Sequence, residues 1–305
     1  MSDSHALAPG PQSSASSPPE LPFPLFNGLR SLPNFRDIGG WPISSSTTLK
    51  HVRKSLIYRG PDTTHISPQD LSTLQSLNIT TDYDLRSAGQ IAKLGFRDFS
   101  EYGIKRVWCP VFSSEDEKTE EEGVKKRYEQ YASDDVSDIV EAFISTLISG
   151  SHVLATILRD LLSSVPPSAV FVHCTTGNNR TGPFVALLLL LLYVPKAYIV
   201  HEYYLSELGL ASSRNVNVQR LLRKGAFSEY GPVEARRKCE RMVGARRESM
   251  EGLLDEVERR WGGAEGYFLA VVGLSEREVQ RVRDSFTAEG EGDLVETRDV
   301  GFRTS

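Results

Sequence analysis

The run His173-Cys174-Thr175-Thr176-Gly177-Asn178-Asn179-Arg180-Thr181-Gly182 sets a thiol six positions ahead of a guanidinium, with a glycine between them and an apolar stretch from Pro183 just beyond. A loop that joins a strand to a helix can aim successive backbone N–H groups into a concavity at the positive end of the helix, which is a seat for a phosphate. Gly177 permits backbone torsions that a side chain forbids. Cys174 would lie in the field of those N–H dipoles, and Arg180 would return a full positive charge to the same pocket. A free thiol, with a pKa of about 8.5, is only a few per cent ionised at neutral pH, and a helix N-terminus with a nearby cation lowers that pKa by several units. Cys174 is therefore the expected nucleophile, and Arg180 the clamp that holds two phosphate oxygens through a bidentate fork lysine cannot form. Thr175, Thr176, Gly177, Asn178 and Asn179 would line the phosphate together with Arg180. His173 is expected to fix the shape of the loop by hydrogen bonding rather than to act as acid or base. Thr181 either donates its hydroxyl to the departing sulfur or caps the helix.

Such a loop needs a strand before it and a helix after it. Ala169 to His173 is a short apolar, β-rich run bounded by proline and the glycine-containing loop, the pattern of a strand buried on both faces. Pro183 to Pro195 is apolar throughout but shorter than the roughly 18 residues that cross a bilayer, and reads as a buried core helix. Val153, Leu154, Ile157, Leu158, Leu161 and Leu162 make one stripe of a helix over Ser151 to Ser164, ended by Pro166-Pro167. Ser67-Pro68-Gln69-Asp70 is a helix start, as is the acidic stretch with Asp134, Asp135 and Asp138. Ile79 to Arg86 and Ile104 to Val111 read as strands, so β and α elements alternate and predict an α/β central sheet flanked by helices. The half from Pro195 to Phe286 has a largely helical pattern, with a capping box at Ser275 to Glu278.

Composition agrees with an ordinary globular chain: 305 residues, 39% hydrophobic and 25% charged. Against 35 Lys and Arg stand 40 Asp and Glu, a formal net charge of −5, which argues against a dedicated nucleic-acid or anionic-membrane surface. Arg236, Arg237, Lys238, Arg241, Arg246 and Arg247 are interleaved with glutamates and read as a solvated face. Three widely spaced cysteines, Cys109, Cys174 and Cys239, read as reduced thiols, and residues 1–20 carry no secretory pattern, so a cytoplasmic location is expected. The boundaries read as a flexible tail over 1–20, a single domain over 21–286 and a second tail over 287–305. Residues 113–127 read as an acidic, solvated surface excursion.

Asn34 to Gly40 (NFRDIGG), Tyr58-Arg59-Gly60 with Asp62, Asp84 to Ser87 (DLRS), Glu202 to Ser206 (EYYLS) and the Trp261 to Leu274 region accompany the loop. Together they resemble the tyrosine/serine-type protein phosphatase family of bacteria and fungi, from about Leu21 to Phe286. The resemblance implies a cysteine-phosphatase α/β fold with one catalytic domain, no metal and no other cofactor. It implies phosphomonoester hydrolysis through a phosphocysteine on Cys174, with a phosphorylated protein or small phosphate ester as partner, no nucleic acid and no stable membrane insertion.

The chain departs from that pattern where members commonly carry Lys and Asp, which are here Asn178 and Asn179. An amide cannot act as a carboxylic acid, so neither the general-acid role nor the lysine's association with phosphoinositides carries over. Expelling a phenolate, whose acid has a pKa of about 10, needs less proton assistance than expelling an alkoxide, so phosphotyrosine is the expected substrate class. The alternatives are a phosphate-binding pseudophosphatase and a phosphatase of inositol pyrophosphates or phosphoinositides. Substitute acids to be weighed are Asp62, Asp84, the 115–122 excursion, and Asp134, Asp135 and Asp138. Asp84 reads instead as a strand-end acid that holds a backbone or an arginine. Trp108-Cys109-Pro110 has no aspartate after the proline and is set aside. Arg36, Asp37, Arg59 and Arg86 are expected to form polar links behind the loop, a direct substrate contact by Asp37 or Arg59 being the less favoured alternative.

Overall fold

Ala169–His173 forms a strand whose five residues are all buried, and the rest of the structure is arranged around it. The structure, a computed structural model, describes residues 28–44, 48–112, 120–164 and 167–290. The tail expected over 1–20, residues 113–119 of the acidic excursion and residues 291–305 lie outside the described residues.

In chain order the elements are β1 (Arg36–Asp37), β2 (Pro42–Ile43), β3 (Lys50–Val52), β4 (Ile57–Gly60), α1 (Pro68–Ser76), β5 (Ile79–Asp84), α2 (Ala88–Leu94) and β6 (Lys105–Trp108). There follow α3 (Glu120–Ala132), α4 (Val136–Ser149), α5 (Ser151–Ser163), β7 (Ala169–His173), α6 (Thr181–Leu191) and α7 (Lys196–Gly209). The chain continues through α8 (Arg214–Arg223), α9 (Pro232–Val243), α10 (Arg247–Trp261), α11 (Ala264–Ala270), α12 (Glu276–Phe286) and β8 (Thr287–Glu289).

The main sheet has the order β1-β4-β7-β5-β6, with β4, β7, β5 and β6 parallel and β1 antiparallel at one edge. Gly60 and Asp84 both lie opposite His173, so β4, β5 and β7 end level with one another and the loops after them share one edge. Carboxyl ends of parallel strands are where open α/β sheets bind ligands.

Alternation along β7 divides the core. Val170 and Val172 face the larger cluster with α4, α5, α6 and α10, whereas Ala169 and Phe171 face a smaller one with Leu71 and Leu74 of α1, Phe35 and Tyr58. Every residue of α6 but Leu190 is buried, as befits a helix apolar on all sides, and it packs on α4, α7 and α11. Among the described residues no single helix is long and apolar enough to cross a membrane.

Two boundaries differ from expectation. Residues 120–127 are helical, as the first part of α3, rather than an irregular excursion, because Tyr131 and Ala132 bury at its far end and give the helix a packed anchor from which its polar first half extends. Thr287–Glu289 is a strand rather than tail, since it covers the open edge of β3 and completes a three-stranded sheet of order β2-β3-β8. Arg53 reinforces that edge by donating to the carbonyls of Ser285 at 2.7 Å and Thr287 at 2.9 Å.

Phe171 is fully buried, 5.3 Å from the ring of Phe35 and 5.2 Å from that of His173. Phe171→Ala should therefore cost about 3–5 kcal/mol, read as a lowered urea midpoint, and a loss under about 1 kcal/mol would contradict this division of the core.

Candidate active site

Between the end of β7 and the start of α6, five consecutive carbonyls are held from outside the loop. His173 Nδ1 lies 3.0 Å from Cys174 O, Asp62 N donates to Thr175 O at 3.3 Å, and Asn34 Nδ2 donates to Thr176 O at 2.9 Å. Arg59 Nη2 donates to Gly177 O, and Gly182 N donates to Asn178 O at 2.7 Å. Among the described residues, none of the N–H groups from Thr175 to Arg180 has a protein oxygen as its partner. With these carbonyls bonded to donors around the loop, its N–H groups are left without protein oxygen partners, the condition that an anion seat requires. Gly177 makes this path possible: its φ is 69°, and a Cβ there would lie 2.2 Å from Gly60 O.

The brace behind the loop is a buried charge cluster. Glu202 accepts from Arg36 Nε at 2.8 Å and Arg59 Nη1 at 2.6 Å, and Arg36 also reaches Glu202 O at 2.9 Å and Ser206 Oγ at 3.1 Å. Burial and the neighbouring Arg59 bring the Arg36 guanidinium down to about 9 against the pull of Glu202. Burial pushes Glu202 up, but its two arginines outweigh this and hold it below the ordinary carboxylate value. A second cluster lies under His173, whose Nε2 is 3.0 Å from Asp82 and whose Nδ1 is 3.9 Å from Asp84. Burial alone would lower the imidazole pKa; the two carboxylates and the bond to Cys174 O reverse that and raise it to about 9. The two carboxylates and Cys174 O thus all favour the protonated ring of His173.

Cys174 is 2% exposed. Burial pushes its thiol up, but the Arg180 charge, the Thr181 hydroxyl and the backbone N–H groups of Thr181 and Arg180 outweigh it and bring the pKa to about 6. Arg180 is held by Leu85 O at 3.3 Å, Thr175 Oγ1 at 3.3 Å and the side-chain oxygen of Gln90. Thr181 is the first residue of α6 and makes no side-chain cap there, and its buried hydroxyl, which has no hydrogen-bond partner among the described residues, stands where it helps to lower the Cys174 thiol.

Asn178 and Asn179 turn away to the α9–α10 connection, where their Nδ2 atoms donate to Gly244 O at 2.9 Å and Met242 O at 3.1 Å. Among the described candidate acids, Asp84, Asp134, Asp135 and Asp138 are engaged by other partners, and Asp62 borders the loop. Asp84 accepts from Arg86 at 2.8 Å and 2.9 Å and from Arg106 at 2.7 Å; burial raises its pKa, but these partners and His173 pull it well below the usual range. Asp62 lies beside the loop with its carboxylate 3.5 Å from Arg86. Asp134 pairs with Arg237 and Arg241, Asp135 caps α4, and Asp138 accepts from Ser133. Residues 115–119 lie outside the described residues, and Glu120, Glu121 and Glu122 begin α3.

Asp37 ties together the two ends of the β2–β3 excursion, accepting from Gly39 N at 2.8 Å and Ser55 N at 2.6 Å, because β1 runs antiparallel to β4 and carries the chain away from the loop. Arg59 is likewise behind the loop, where it contacts Gly177 O and Glu202. Sequence reasoning passed over Asn34, Glu202 and Gln90. The first two stand in quoted motifs, and Gln90 follows the N-cap Ser87 by three residues, a capping box visible in the sequence.

Two titrations in the loop have opposite signs. His173, raised above its ordinary 6.5 to about 9, adds stability that is complete below 6.5 and lost as pH rises through 9. Cys174, lowered from 9.0 to about 6, adds stability that is complete above 9 and lost as pH falls through 6. Between these limits the two nearly cancel in the native protein. In Cys174→Ser only the histidine remains, so the unfolding free energy of the variant should fall between pH 6.5 and 9 by on the order of 3 kcal/mol relative to the native protein's change. Urea melts across that range check this, and parallel profiles for the two proteins would refute it.

The sequence profile described as the tyrosine phosphatase family matches residues 28–288. The chain is 28% identical over 229 residues to a tyrosine-protein phosphatase of Nostoc commune, covering 74% of this chain and 72% of that protein. It is 22% identical over 286 residues to the triple specificity protein phosphatase PtpB of Mycobacterium tuberculosis, covering 84% of this chain and 98% of that protein. Among solved structures, P. aeruginosa TpbA in complex with pTyr aligns at 16% identity with a TM-score of 0.26, covering 54% of this chain and 77% of that one. With the family profile running across nearly all of the described residues, the chain belongs to the tyrosine phosphatase family and is a phosphatase.

Proposed function

We propose that the protein hydrolyses aryl phosphomonoesters, phosphotyrosine in proteins foremost, through a phosphocysteine on Cys174. The observation that carries this reading is a buried thiol on the same short loop as the Arg180 guanidinium, which lowers its pKa, with the carbonyls of residues 174–178 all bonded to donors around the loop. The Cys174 thiolate attacks phosphorus in line with the leaving oxygen. The S–P bond forms as the P–O bond to the aryl group breaks, and its electron pair leaves on the phenolate, which takes a proton from water. Arg180 and the loop N–H groups hold the three equatorial oxygens, where charge accumulates. Water then attacks the phosphocysteine: a P–O bond forms as the S–P bond breaks, the water's proton passes to solvent, phosphate leaves, and the electron pair returns to sulfur, where the Thr181 hydroxyl and Arg180 stabilise it.

The asparagines govern the choice of leaving group. Asn179 donates to Met242 O and has no acidic proton to give, while Asp84 stays ionised between two arginines. Proton delivery to an alkoxide is the missing function, and an aryl ester needs it least.

Hydrolysis of matched aryl and alkyl phosphates tests this. The native protein should favour the aryl ester, Cys174→Ser should lose roughly a thousandfold or more in kcat, and tungstate should inhibit competitively. In Asn179→Asp the carboxylate is repelled by Met242 O and freed toward the pocket, so turnover of the alkyl ester should rise more than that of the aryl ester. Native activity no higher than that of Cys174→Ser would leave a phosphate-binding module in place of an enzyme.

A further inference from the structure

Arg59, Arg86 and Arg180 all serve the same edge of the sheet, yet they are held differently. Arg59 is held by the carboxylate of Glu202 and Arg86 by that of Asp84. Among the described residues Arg180 makes no ion pair; the side chain that holds it is the amide of Gln90. The Gln90 oxygen accepts from Arg180 Nη1, and its Nε2 donates to Thr175 Oγ1 at 3.1 Å. Thr175 Oγ1 in turn receives Arg180 Nη2 at 3.3 Å, so the three side chains close a ring at the rim of the loop. Gln90 is itself fixed. It stands in the first turn of α2, where its side-chain oxygen accepts from Ser87 N at 3.2 Å while its own N–H meets Ser87 Oγ at 3.4 Å.

We propose that Gln90 is a positioning residue that orients Arg180 and Thr175 through a neutral amide, leaving the guanidinium charge uncompensated for the Cys174 thiolate and the bound phosphate. A glutamate has the same shape and keeps the contact to Arg180, with the Thr175 hydroxyl turning to donate where it now accepts from Gln90 Nε2, but its charge would oppose that of Arg180 at hydrogen-bond distance. An aliphatic residue would keep the charge of Arg180 and lose its orientation. The two substitutions therefore separate charge from geometry. The inference rests on the reading of Cys174 and Arg180 as the phosphate-handling pair, and its test uses readouts that do not require turnover.

The thiolate population is measured from the pH dependence of iodoacetamide alkylation at Cys174, located by peptide mass, and anion affinity from calorimetric titration with tungstate. Gln90→Glu should move the alkylation midpoint upward from about 6 by at least one pH unit and weaken tungstate at least fivefold. Gln90→Leu should leave that midpoint within half a unit while weakening tungstate by a similar factor. Ser87→Ala breaks the capping box without touching Arg180 or Thr175, and controls for helix stability: it should lower the melting temperature as Gln90→Leu does, with alkylation and tungstate binding as in the native protein. The proposal is overturned if Gln90→Glu keeps the native midpoint, or if Ser87→Ala reproduces the loss of tungstate binding. A native protein that binds tungstate yet hydrolyses no phosphate ester would end the enzymatic reading alone, because the alkylation and titration arms still decide the role of Gln90.

Discussion

A loop can bind an anion only if its carbonyls are kept out of the cavity, and every other feature of this site follows from how that is achieved. Peptide units in a tight loop do not choose their orientation freely, and an outward carbonyl buried without a donor would cost free energy comparable to a lost hydrogen bond. Here the donors come from four separate parts of the chain: Asn34 before β1, Arg59 in β4, Asp62 after β4 and His173 within β7. The parallel register that sets Gly60 and Asp84 level with His173 brings those parts together. The sheet is thus the device that orients peptide dipoles, and the cavity is its consequence.

Charge is distributed on the same plan. Cations that do structural work are compensated where they stand: Arg36 and Arg59 by Glu202, His173 by Asp82 and Asp84, Arg86 and Arg106 by Asp84. Burying such groups without partners would be prohibitive, and removing one member of a buried pair strands the other. Arg180 differs in having amide, hydroxyl and carbonyl oxygens as its partners. Its field is what outweighs the cost of burying the thiolate. Among the described residues, ion pairs hold the cations around the loop, whereas Arg180 has none.

The two asparagines trade chemistry for scaffolding. By donating to Gly244 O and Met242 O they fasten the loop to the α9–α10 connection, so the helical C-terminal half, which holds no residue of the loop itself, takes part in fixing its wall. A carboxylate could not make such a bond, since two acceptors repel. The loop is thereby fastened on that side by two amides where a carboxylate would find no donor.

Much of this was legible in the order of residues. The buried strand Ala169–His173, the apolar helix after it, the Cys174 to Arg180 spacing and the capping signals at Ser67 and Ser275 are local patterns, and each formed where its pattern stood. What the sequence could not reveal depends on contacts between distant segments. Asp37 and Glu202 are both acids in polar motifs, yet one supports a turn and the other anchors two arginines, and only the antiparallel direction of β1 and the packing of α7 separate them. Gln90 was visible as a cap but not as the partner of Arg180, because that contact spans 90 positions and the sheet alone brings the two together. The helix over residues 120–127 and the strand at 287–289 escaped notice for the same reason. Polar sequences acquire structure when a neighbour anchors one end or covers an edge, and that neighbour is chosen by the tertiary fold.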